Sequence, residues 1–332
     1  MHPELFQIPF TTITVKTYGV FLVIGFLAII FVAKRLSRDF TPNQELITNA
    51  GLYALIIGLT GGRIFYVIHY FDKFKDNILS VFYIWQGGYE LLGGAIWSIL
   101  FLMIYIKYHK LPIRRYLDVI AIGLLVLLAF GRIGCFFSGC CYGKPYESPL
   151  AIKFPYNSNA YLSQITPNPS RNRLEPYFEL PKDYFGYYDD KGYYYPGLKP
   201  FEQLAPEQKL MVTKGVYTCL PVHPTQLYSS ALAFFGAFLL YLYWKGNQNI
   251  QNSGKTGFFA KHGCVFALMF ILYGIGRFFI EFLRDDNPFE FDGLTVSQNI
   301  SIGMFIAGII LMLIFNKMAP YQPQNRKQKS NK

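Results

Sequence analysis

Seven apolar stretches restrict the possible folds of this chain more than any other feature. A helix needs about 20 apolar residues to cross the ~30 Å hydrocarbon core of a bilayer, and each stretch reaches or nearly reaches that length. They lie at residues 18–33, 50–70, 91–108, 116–137, 225–244, 264–283 and 295–315. They predict an all-α polytopic membrane protein with about seven transmembrane helices. Gly87-Gly88 and Gly93-Gly94 interrupt the start of the third stretch, so a re-entrant or half-helix is the alternative there.

The basic residues between these stretches indicate how the helices are oriented. With the N-terminus outside, the inner loops and the tail hold fifteen Lys and Arg residues and the short outer loops hold four. Basic residues prefer the cytoplasmic side, whereas long loops cross regardless of charge, so the long 144–222 segment is not counted. The net charge of +11 is therefore explained by topology. It predicts anionic membrane lipids as partners and no nucleic acid.

This orientation divides the chain into four parts. Residues 1–141 contain the first four helices, 142–222 form a segment on the outer side, 223–316 contain the last three helices, and 317–332 form a basic cytoplasmic tail. The outer segment is nearly neutral and rich in Tyr and Pro, which is typical of a small extracytoplasmic cap with turns. Within it, residues 187–195 surround Asp189-Asp190-Lys191-Gly192 and predict a β-hairpin.

Charged residues within the apolar stretches are candidates for function, because a charge costs ~2.5 kcal/mol or more at the centre of a membrane helix. Arg132 ends a long apolar run among closely spaced glycines, which allow close approach of a ligand or a helix. In the sixth stretch, Arg277, Glu281 and Arg284 follow one another at spacings of four and three, so they share one helix face. A pair of Arg277 and Glu281 that only neutralises itself is the alternative.

The arginines predict an anion site near the outer surface. Arg132 and Glu281 both lie toward the outer ends of helices that run outward, so we expect them to meet, whereas we expect Arg63 to lie deeper. Arginine forks in a partly dry pocket suit bidentate binding of a phosphate. A phosphate at this surface most simply belongs to a phospholipid.

Histidine and cysteine leave alternatives open. His223 precedes Pro224 at the start of the fifth stretch, where a histidine is more often a hydrogen-bond partner at a helix entrance than a catalyst. The five cysteines are too few for a disulfide scaffold, and no CxxC pair indicates a zinc site. Two alternatives are open for the cysteines at the ends of the outer segment. In an oxidising exterior, Cys140 or Cys141 forms a disulfide with Cys219; otherwise all three are free thiols.

Six fragments follow one another along the chain, and together they carry a resemblance. They are Gly61-Gly62-Arg63-Ile64 with Tyr66, Trp85-Gln86-Gly87-Gly88 followed by Gly93-Gly94, Gly131-Arg132-Ile133-Gly134, His223-Pro224-Thr225-Gln226-Leu227-Tyr228, Gly274-Ile275-Gly276-Arg277-Phe278-Phe279-Ile280-Glu281-Phe282 with Arg284, and Gly293-Leu294-Thr295-Val296-Ser297-Gln298. In this order they resemble the bacterial phosphatidylglycerol:prolipoprotein diacylglyceryl transferases, from about residue 18 to 315 without most of the outer segment.

The resemblance implies an enzyme of the bacterial cytoplasmic (inner) membrane. Such an enzyme moves the diacylglyceryl group of phosphatidylglycerol to the lipobox cysteine thiol in the signal peptide of a preprolipoprotein. It forms a thioether and releases glycerol 1-phosphate, and we expect it to need no metal and no organic cofactor. The catalytic residues are then Arg132, Arg277 and Glu281. The predicted substrate-binding residues are Tyr18, Arg63, Gly93, Gly94, Gly131, Gly134, His223, Gln226, Tyr228 and Arg284.

The chain departs from the family pattern at four positions. They are Leu92, where His or Tyr is common, Cys135, where Asn is frequent, Cys140, where an acidic residue is frequent, and Ser229, where Glu is frequent. These departures leave the proton acceptor open: Glu90, Tyr89 and His223 are candidates, or arginines acidify the thiol without a base. They also keep two alternatives in view, a diverged paralogue and a transporter or lipid-binding protein that holds an anionic solute.

Overall fold

The structure is a computed structural model that describes residues 4–7, 14–41, 43–75, 77–83, 87–189, 192–253, 257, 259–291 and 293–318. Several predicted features fall partly outside these residues. Trp85 and Gln86 of the second fragment, Asp190 and Lys191 of the hairpin, and the tail from residue 319 onward lie outside the described residues.

Helices dominate the described part of the chain. Six of them are long and apolar enough to cross a membrane. The long helices are α1 (Thr17–Leu36), α2 (Glu45–His69), α4 (Ile113–Ser138), α7 (Thr225–Asn252), α8 (Cys264–Leu283) and α9 (Val296–Lys317), and the shorter ones are α3 (Leu91–Tyr108), α5 (Asn159–Ile165) and α6 (Pro206–Thr213). The shorter apolar helix α3 coincides with the third stretch, for which the sequence left a half-helix open.

The expectation of an all-α protein was too strict. The described residues also form three two-stranded antiparallel sheets. The strands are β1 (Glu4–Gln7), β2 (Thr14–Lys16), β3 (Phe185–Tyr188), β4 (Tyr194–Leu198), β5 (Phe289–Phe291) and β6 (Leu294–Thr295). The pair β3 and β4 confirms the predicted hairpin, with Tyr187 opposite Tyr195. All three pairs lie outside the long helices.

Helix α4 is the centre of the helical assembly. It packs against α1, α7 and α8, while α2 packs against α3 and α8 against α9. A buried cluster joins α4 to α7 and α8, and it includes Ile122, Leu125, Leu240 and Val265. Large apolar side chains cover the outward faces of the helices. That distribution suits a lipid environment, in which the outer surface of a helix bundle is as apolar as its interior.

A carboxylate at the beginning of α4 fixes the position of α8. Asp118 is 2 % exposed, and its oxygens accept hydrogen bonds from the backbone nitrogens of Gly263 at 2.7 Å and Phe266 at 3.0 Å. It therefore satisfies amide groups at the N-terminus of α8, which have no partner within the helix. Asp118 therefore holds the beginning of α8 to the beginning of α4.

Glycines bring α2 and α3 into close contact. A Cβ atom on Gly94 would lie 2.8 Å from the carbonyl oxygen of Gly58, and one on Gly62 would lie 2.9 Å from that of Glu90. A Cβ on Gly93 would collide with the Phe65 side chain. Small residues of this kind let helix backbones approach closely in membranes. Gly93 and Gly94, predicted to bind substrate, thus pack α3 against α2, and substrate contact by either stays a prediction.

The Gly94→Ala substitution is expected to destabilise the protein by ~1–3 kcal/mol, because the added methyl group forces α3 away from α2. The measurement is the midpoint of thermal unfolding in detergent. Gly303→Ala is the matched control, since nothing lies within 4 Å of a Cβ at Gly303 in α9. An equal midpoint for the two variants would contradict the close packing.

Residues 142–222 form a compact region between α4 and α7. Its buried cluster includes Tyr142, Phe154, Tyr161 and Cys219. The region is tied to the end of α8, because the backbone of Lys144 donates to the carbonyl of Leu283 at 2.8 Å. The backbone nitrogen of His223, just before α7, donates in turn to the carbonyl of Lys144. One junction therefore joins the start of this region to the end of α8 and the beginning of α7.

Candidate active site

A cleft opens between α4, α7 and α8. Its polar lining consists of Arg132, Ser229, Tyr273 and Arg277. The remaining lining is apolar or glycine: Leu125, Leu128, Leu232, Ala233, Gly236, Leu272, Gly276 and Ile280. The cleft therefore joins two cationic groups to an apolar wall, an arrangement that matches an amphiphile with an anionic head.

Arg132 is the cationic group of this cleft that is free to bind a ligand. It has no hydrogen bond or ion pair to any residue that the structure describes. A guanidinium presents five N–H donors and cannot be deprotonated in proteins. Arg132 therefore has its full donor capacity available to an anion in the cleft.

Arg277 has partners on one side only. Its Nη2 atom donates to Ser297 Oγ at 2.7 Å and lies 2.8 Å from Glu281 Oε2, whereas its Nη1 atom is buried without a partner among the described residues. A buried donor without a partner costs about 1–3 kcal/mol. A ligand oxygen at Nη1 would remove that cost, so Arg277 contributes a donor to the same cleft.

Glu281 is held within a network of buried side chains. Its side chain is 0 % exposed, and Arg284 Nη1 lies 3.9 Å from its Oε2 atom. The amide of Asn287 donates to its Oε1 atom and also to Ser297 Oγ at 3.3 Å. The pairing of Arg277 and Glu281 suggested by their spacing is confirmed. Glu281 lies behind Arg277 and orients it, and it is not among the residues that line the cleft.

Arg284 is anchored and holds the junction together. It donates to both carboxylate oxygens of Asp286, at 2.8 and 2.7 Å, and its carbonyl accepts from Arg171 Nη2. Burial alone would lower the pKa of Arg284, but the ion pair with Asp286 raises it above its usual range. Its donors are already engaged, so direct substrate binding by Arg284 stays a prediction.

The chain turns sharply where α4 ends. Gly139 and Cys141 both have left-handed backbone angles, with φ values of 70° and 58°. Two side chains at the start of α7 hold this turn: Thr225 Oγ1 donates to the carbonyl of Cys141 and Gln226 Nε2 donates to that of Cys140, both at 2.6 Å. Gln226 is fully buried there. Its observed contact is therefore with the turn, and contact with substrate stays a prediction.

His223 belongs to the same junction. Its backbone nitrogen donates to the carbonyl of Lys144, and its carbonyl accepts from Gly143, both at 3.1 Å. Its ring stacks on Tyr146 with centroids 3.9 Å apart and lies 6.1 Å from the ring of Tyr228. Burial and the nearby Lys144 lower the pKa of His223. This agrees with a packing role at the helix entrance, and His223 is not among the cleft residues.

Arg63 contacts the backbone of the loop before α3. It lies in the last two turns of α2, so the expectation of a deeper position was wrong. Arg63 is 7 % exposed, and it donates to four backbone carbonyls between 2.6 and 3.1 Å, namely those of Ser80, Val81, Gly87 and Gly88. Its side chain therefore holds the loop before α3, and substrate binding by Arg63 stays a prediction.

Arg63→Met is expected to lower stability by ~3 kcal/mol or more, because four carbonyls lose a charged donor. The midpoint of thermal unfolding and the protease sensitivity of residues 77–83 would both report the loosened loop. Arg38→Met is the control, since Arg38 is exposed. Unchanged stability together with weaker phosphatidylglycerol binding would contradict this role and support substrate binding by Arg63.

The other predicted residues lie around α1 and α3. Tyr18 is 39 % exposed and packs near Gly134, where a Cβ would lie 3.1 Å from its ring. Gly131 faces Leu22 of α1 more loosely, with 3.7 Å to that side chain. Glu90 Oε1 lies 2.6 Å from His69 Nδ1, between α2 and α3. None of the three candidate proton acceptors is among the described residues that line the cleft.

Of the two alternatives that the sequence left open for Cys140, Cys141 and Cys219, the structure has the free thiols. All five are free, and Cys219 lies in the buried cluster of the 142–222 region. Instead, the sulfur atoms of Cys135, Cys140 and Cys141 lie within 4.8 Å of one another. Hydrogen bonds from the other two thiols lower the pKa of Cys141, and the nearby Arg284 and Arg132 lower it further. The sequence offered no sign of this cluster, because Cys135 lies five residues before the adjacent Cys140 and Cys141 and only the turn brings the three together.

These features define a class: a multi-pass membrane protein with an arginine-lined cleft between its helices. The sequence model of the prolipoprotein diacylglyceryl transferase family matches residues 3–314. The chain belongs to that family.

Relatives with high coverage agree with this assignment. The phosphatidylglycerol–prolipoprotein diacylglyceryl transferase of Clostridium tetani (strain Massachusetts / E88) is 28 % identical over 316 residues, covering 95 % of this chain and 98 % of the relative. A second such protein, numbered 2, in Clostridium perfringens (strain 13 / Type A) is 28 % identical over 306 residues, 92 % of each. That of Buchnera aphidicola subsp. Acyrthosiphon pisum (strain 5A) is 31 % identical over 319 residues, covering 93 % and 96 %.

Proposed function

We propose that this protein is a phosphatidylglycerol–prolipoprotein diacylglyceryl transferase, in accord with its family. The observation that carries the proposal is the cleft in which Arg132 has its donors free and Arg277 has one buried donor unpaired. Both groups are suited to the phosphate of a phospholipid. The apolar residues farther along α4 and α8 would accompany its acyl chains. Family membership favours the transferase over a transporter.

The reaction is a displacement at the glyceryl carbon that bears the phosphate ester. The thiolate sulfur of the lipobox cysteine forms a bond to this carbon while the carbon–oxygen bond breaks, and the departing oxygen keeps the electron pair. The products are a thioether and glycerol 1-phosphate, and the thiol proton goes to solvent. Negative charge grows on the phosphate oxygens, so donors fixed in advance by Glu281 and Ser297 stabilise the transition state.

The orientation supports access from the outer leaflet. In this proposal seven helices cross the bacterial inner membrane, α3 included, with the N-terminus outside and the tail inside. Residues 142–222 then form a cap on the outer side, next to the ends of α4 and α8 where the arginines lie. The substrates are phosphatidylglycerol and a preprolipoprotein whose signal peptide presents the lipobox cysteine. The excess of basic residues inside faces anionic lipid.

Incubation of the purified protein with phosphatidylglycerol and a lipobox peptide tests the proposal. We expect the peptide to gain the mass of one diacylglyceryl group on its cysteine, with release of glycerol 1-phosphate. A peptide with serine in place of that cysteine is the control and should gain nothing. Absence of a thioether product, under conditions in which another family member works, would sink the proposal.

A further inference from the structure

A groove between α1 and α7 has no part in the proposed reaction. Both helices pack against α4, and Ile122 and Val126 of α4 line the groove between them. Its walls include Phe31 of α1 and Phe238 of α7, which are 70 % and 54 % exposed. None of its described lining residues belongs to the cleft that contains Arg132. In a membrane, acyl chains are the apolar material available to fill such a groove.

The groove is about as long as one leaflet of a bilayer. Its α7 wall extends from Phe234 to Lys245, or about 16 Å at a helical rise of 1.5 Å per residue. Half of a ~30 Å hydrocarbon core is about 15 Å. Ile122 and Val126 lie near the middle of α4, at the apolar end of the groove. The groove therefore runs from the middle of the bilayer toward one surface, as an acyl chain does.

Charged groups line only the end of the groove that is farther from the bilayer centre. They are Arg35 at the end of α1, Asp39 just beyond it, and Lys245 on α7. Both basic side chains are exposed, and neither forms an ion pair or a hydrogen bond with another residue that the structure describes. Two positive charges against one negative charge leave this end positive. It therefore suits an anionic head group.

Two aromatic residues indicate the depth of this end. Tyr241 and Trp244 line the groove beside Lys245, and their rings stack with centroids 6.2 Å apart. Tyrosine and tryptophan are enriched at the level of the lipid head groups. Basic pockets between membrane helices at the cytoplasmic side bind anionic head groups. In the proposed orientation this end is cytoplasmic, and the arginine cleft lies toward the other surface.

We propose that this groove binds one anionic phospholipid of the inner leaflet. Its phosphate would lie near Arg35 and Lys245, and an acyl chain would extend along Ile122 and Val126. The lipid would fill the space between α1 and α7 and so support both helices on α4, which carries Arg132. The site is separate from the substrate cleft, and the inference does not depend on transferase activity.

The charge of the groove argues against a signal peptide as its occupant. A signal peptide also has an apolar segment, but the positively charged n-region precedes that segment and stays at the cytoplasmic end. Arg35 and Lys245 would repel this region, whereas they attract the phosphate of a lipid. The groove therefore favours a phospholipid over the acceptor polypeptide.

The fluorescence of Trp244 tests occupancy directly, because its side chain lines the groove. The full chain is placed in phosphatidylcholine bilayers that contain a small fraction of lipid with brominated acyl chains, which quench tryptophan on contact. Trp244→Phe supplies the background from Trp85 and Trp97. Brominated phosphatidylserine is expected to quench Trp244 about fivefold more effectively than brominated phosphatidylcholine, the effect of one net basic charge on an anionic lipid.

A matched pair of double variants tests the charges. Arg35→Gln with Lys245→Gln should lose the preference for phosphatidylserine, because only Asp39 remains charged at this end. Lys34→Gln with Arg38→Gln removes the same charge from the same end of α1, but from outside the groove lining, and should keep most of the preference. Arg35→Lys preserves the charge and should behave as the wild type.

Three results would overturn the proposal. The first is equal quenching by the two brominated lipids in the unmutated protein, a comparison that depends on no charge variant. The second is equal loss of the preference in the two double variants, which would mean that the general surface charge attracts the lipid. The third is relief of the quenching by an unlabelled signal peptide, which would assign the groove to the acceptor polypeptide.

Discussion

Arg132→Lys is expected to lower the rate of diacylglyceryl transfer about 100-fold or more, the effect of removing one preorganised donor from an anion site. Arg132 has no partner among the described residues, so none of these residues depends on its hydrogen bonds. A lysine keeps the charge but offers a point charge in place of a planar fork, and it cannot bind two phosphate oxygens side by side. Stability should therefore change little while turnover falls.

Arg277→Lys is expected to reduce transfer as strongly, but for two reasons. The variant loses the free Nη1 donor, and a single ammonium cannot reach Glu281, Ser297 and the phosphate together. Initial rates of thioether formation, measured by mass, would check both variants. Arg35→Lys is the matched control, because Arg35 is exposed at the far end of α1. If both cleft variants turn over as fast as this control, the phosphate does not bind between Arg132 and Arg277.

Helical spacing was enough to predict the core of the site. Residues four apart on a helix are neighbours whatever surrounds them, so the ion pair of Arg277 with Glu281 follows from the sequence alone. The sequence also predicted that Arg132 reaches the same cleft. Arg132 and Arg277 lie near the ends of α4 and α8, and two such helix ends are expected at a similar depth in a membrane. The apolar stretches predicted the long helices for the same reason, since bilayer thickness sets their length.

The partners of Arg63 could not be predicted in this way. They are backbone carbonyls of an irregular loop, and no residue type or spacing marks a carbonyl as an acceptor. The cysteine cluster was hidden for a related reason. Its assembly depends on the left-handed conformation of Cys141, a non-glycine residue for which sequence favours another conformation. The positions of charged side chains on the helices could be predicted from the sequence. The loop contacts that complete the site could not.

Glu281→Gln is expected to destabilise the protein by ~3–5 kcal/mol, the usual cost of removing one partner from a buried ion pair. Arg277 and Arg284 are close enough to repel each other, and their side chains are 12 % and 5 % exposed, so water does little to screen them once the carboxylate is gone. Glutamine has nearly the same shape, and the loss is therefore one of charge. The midpoint of thermal unfolding in detergent measures it, with Glu290→Gln as the control at an exposed carboxylate.

The same variant distinguishes a structural ion pair from one that serves phosphate binding. Without its carboxylate the cluster gains one positive charge, so an anion in the cleft should stabilise the variant more than it stabilises the wild type. We expect phosphatidylglycerol to raise the unfolding midpoint of Glu281→Gln by more than that of the unmutated protein, and a neutral lipid to raise neither. Because Arg277 is no longer oriented, transfer should still fall at saturating lipid. Full transfer with only a stability defect would mean that Glu281 merely neutralises its neighbours.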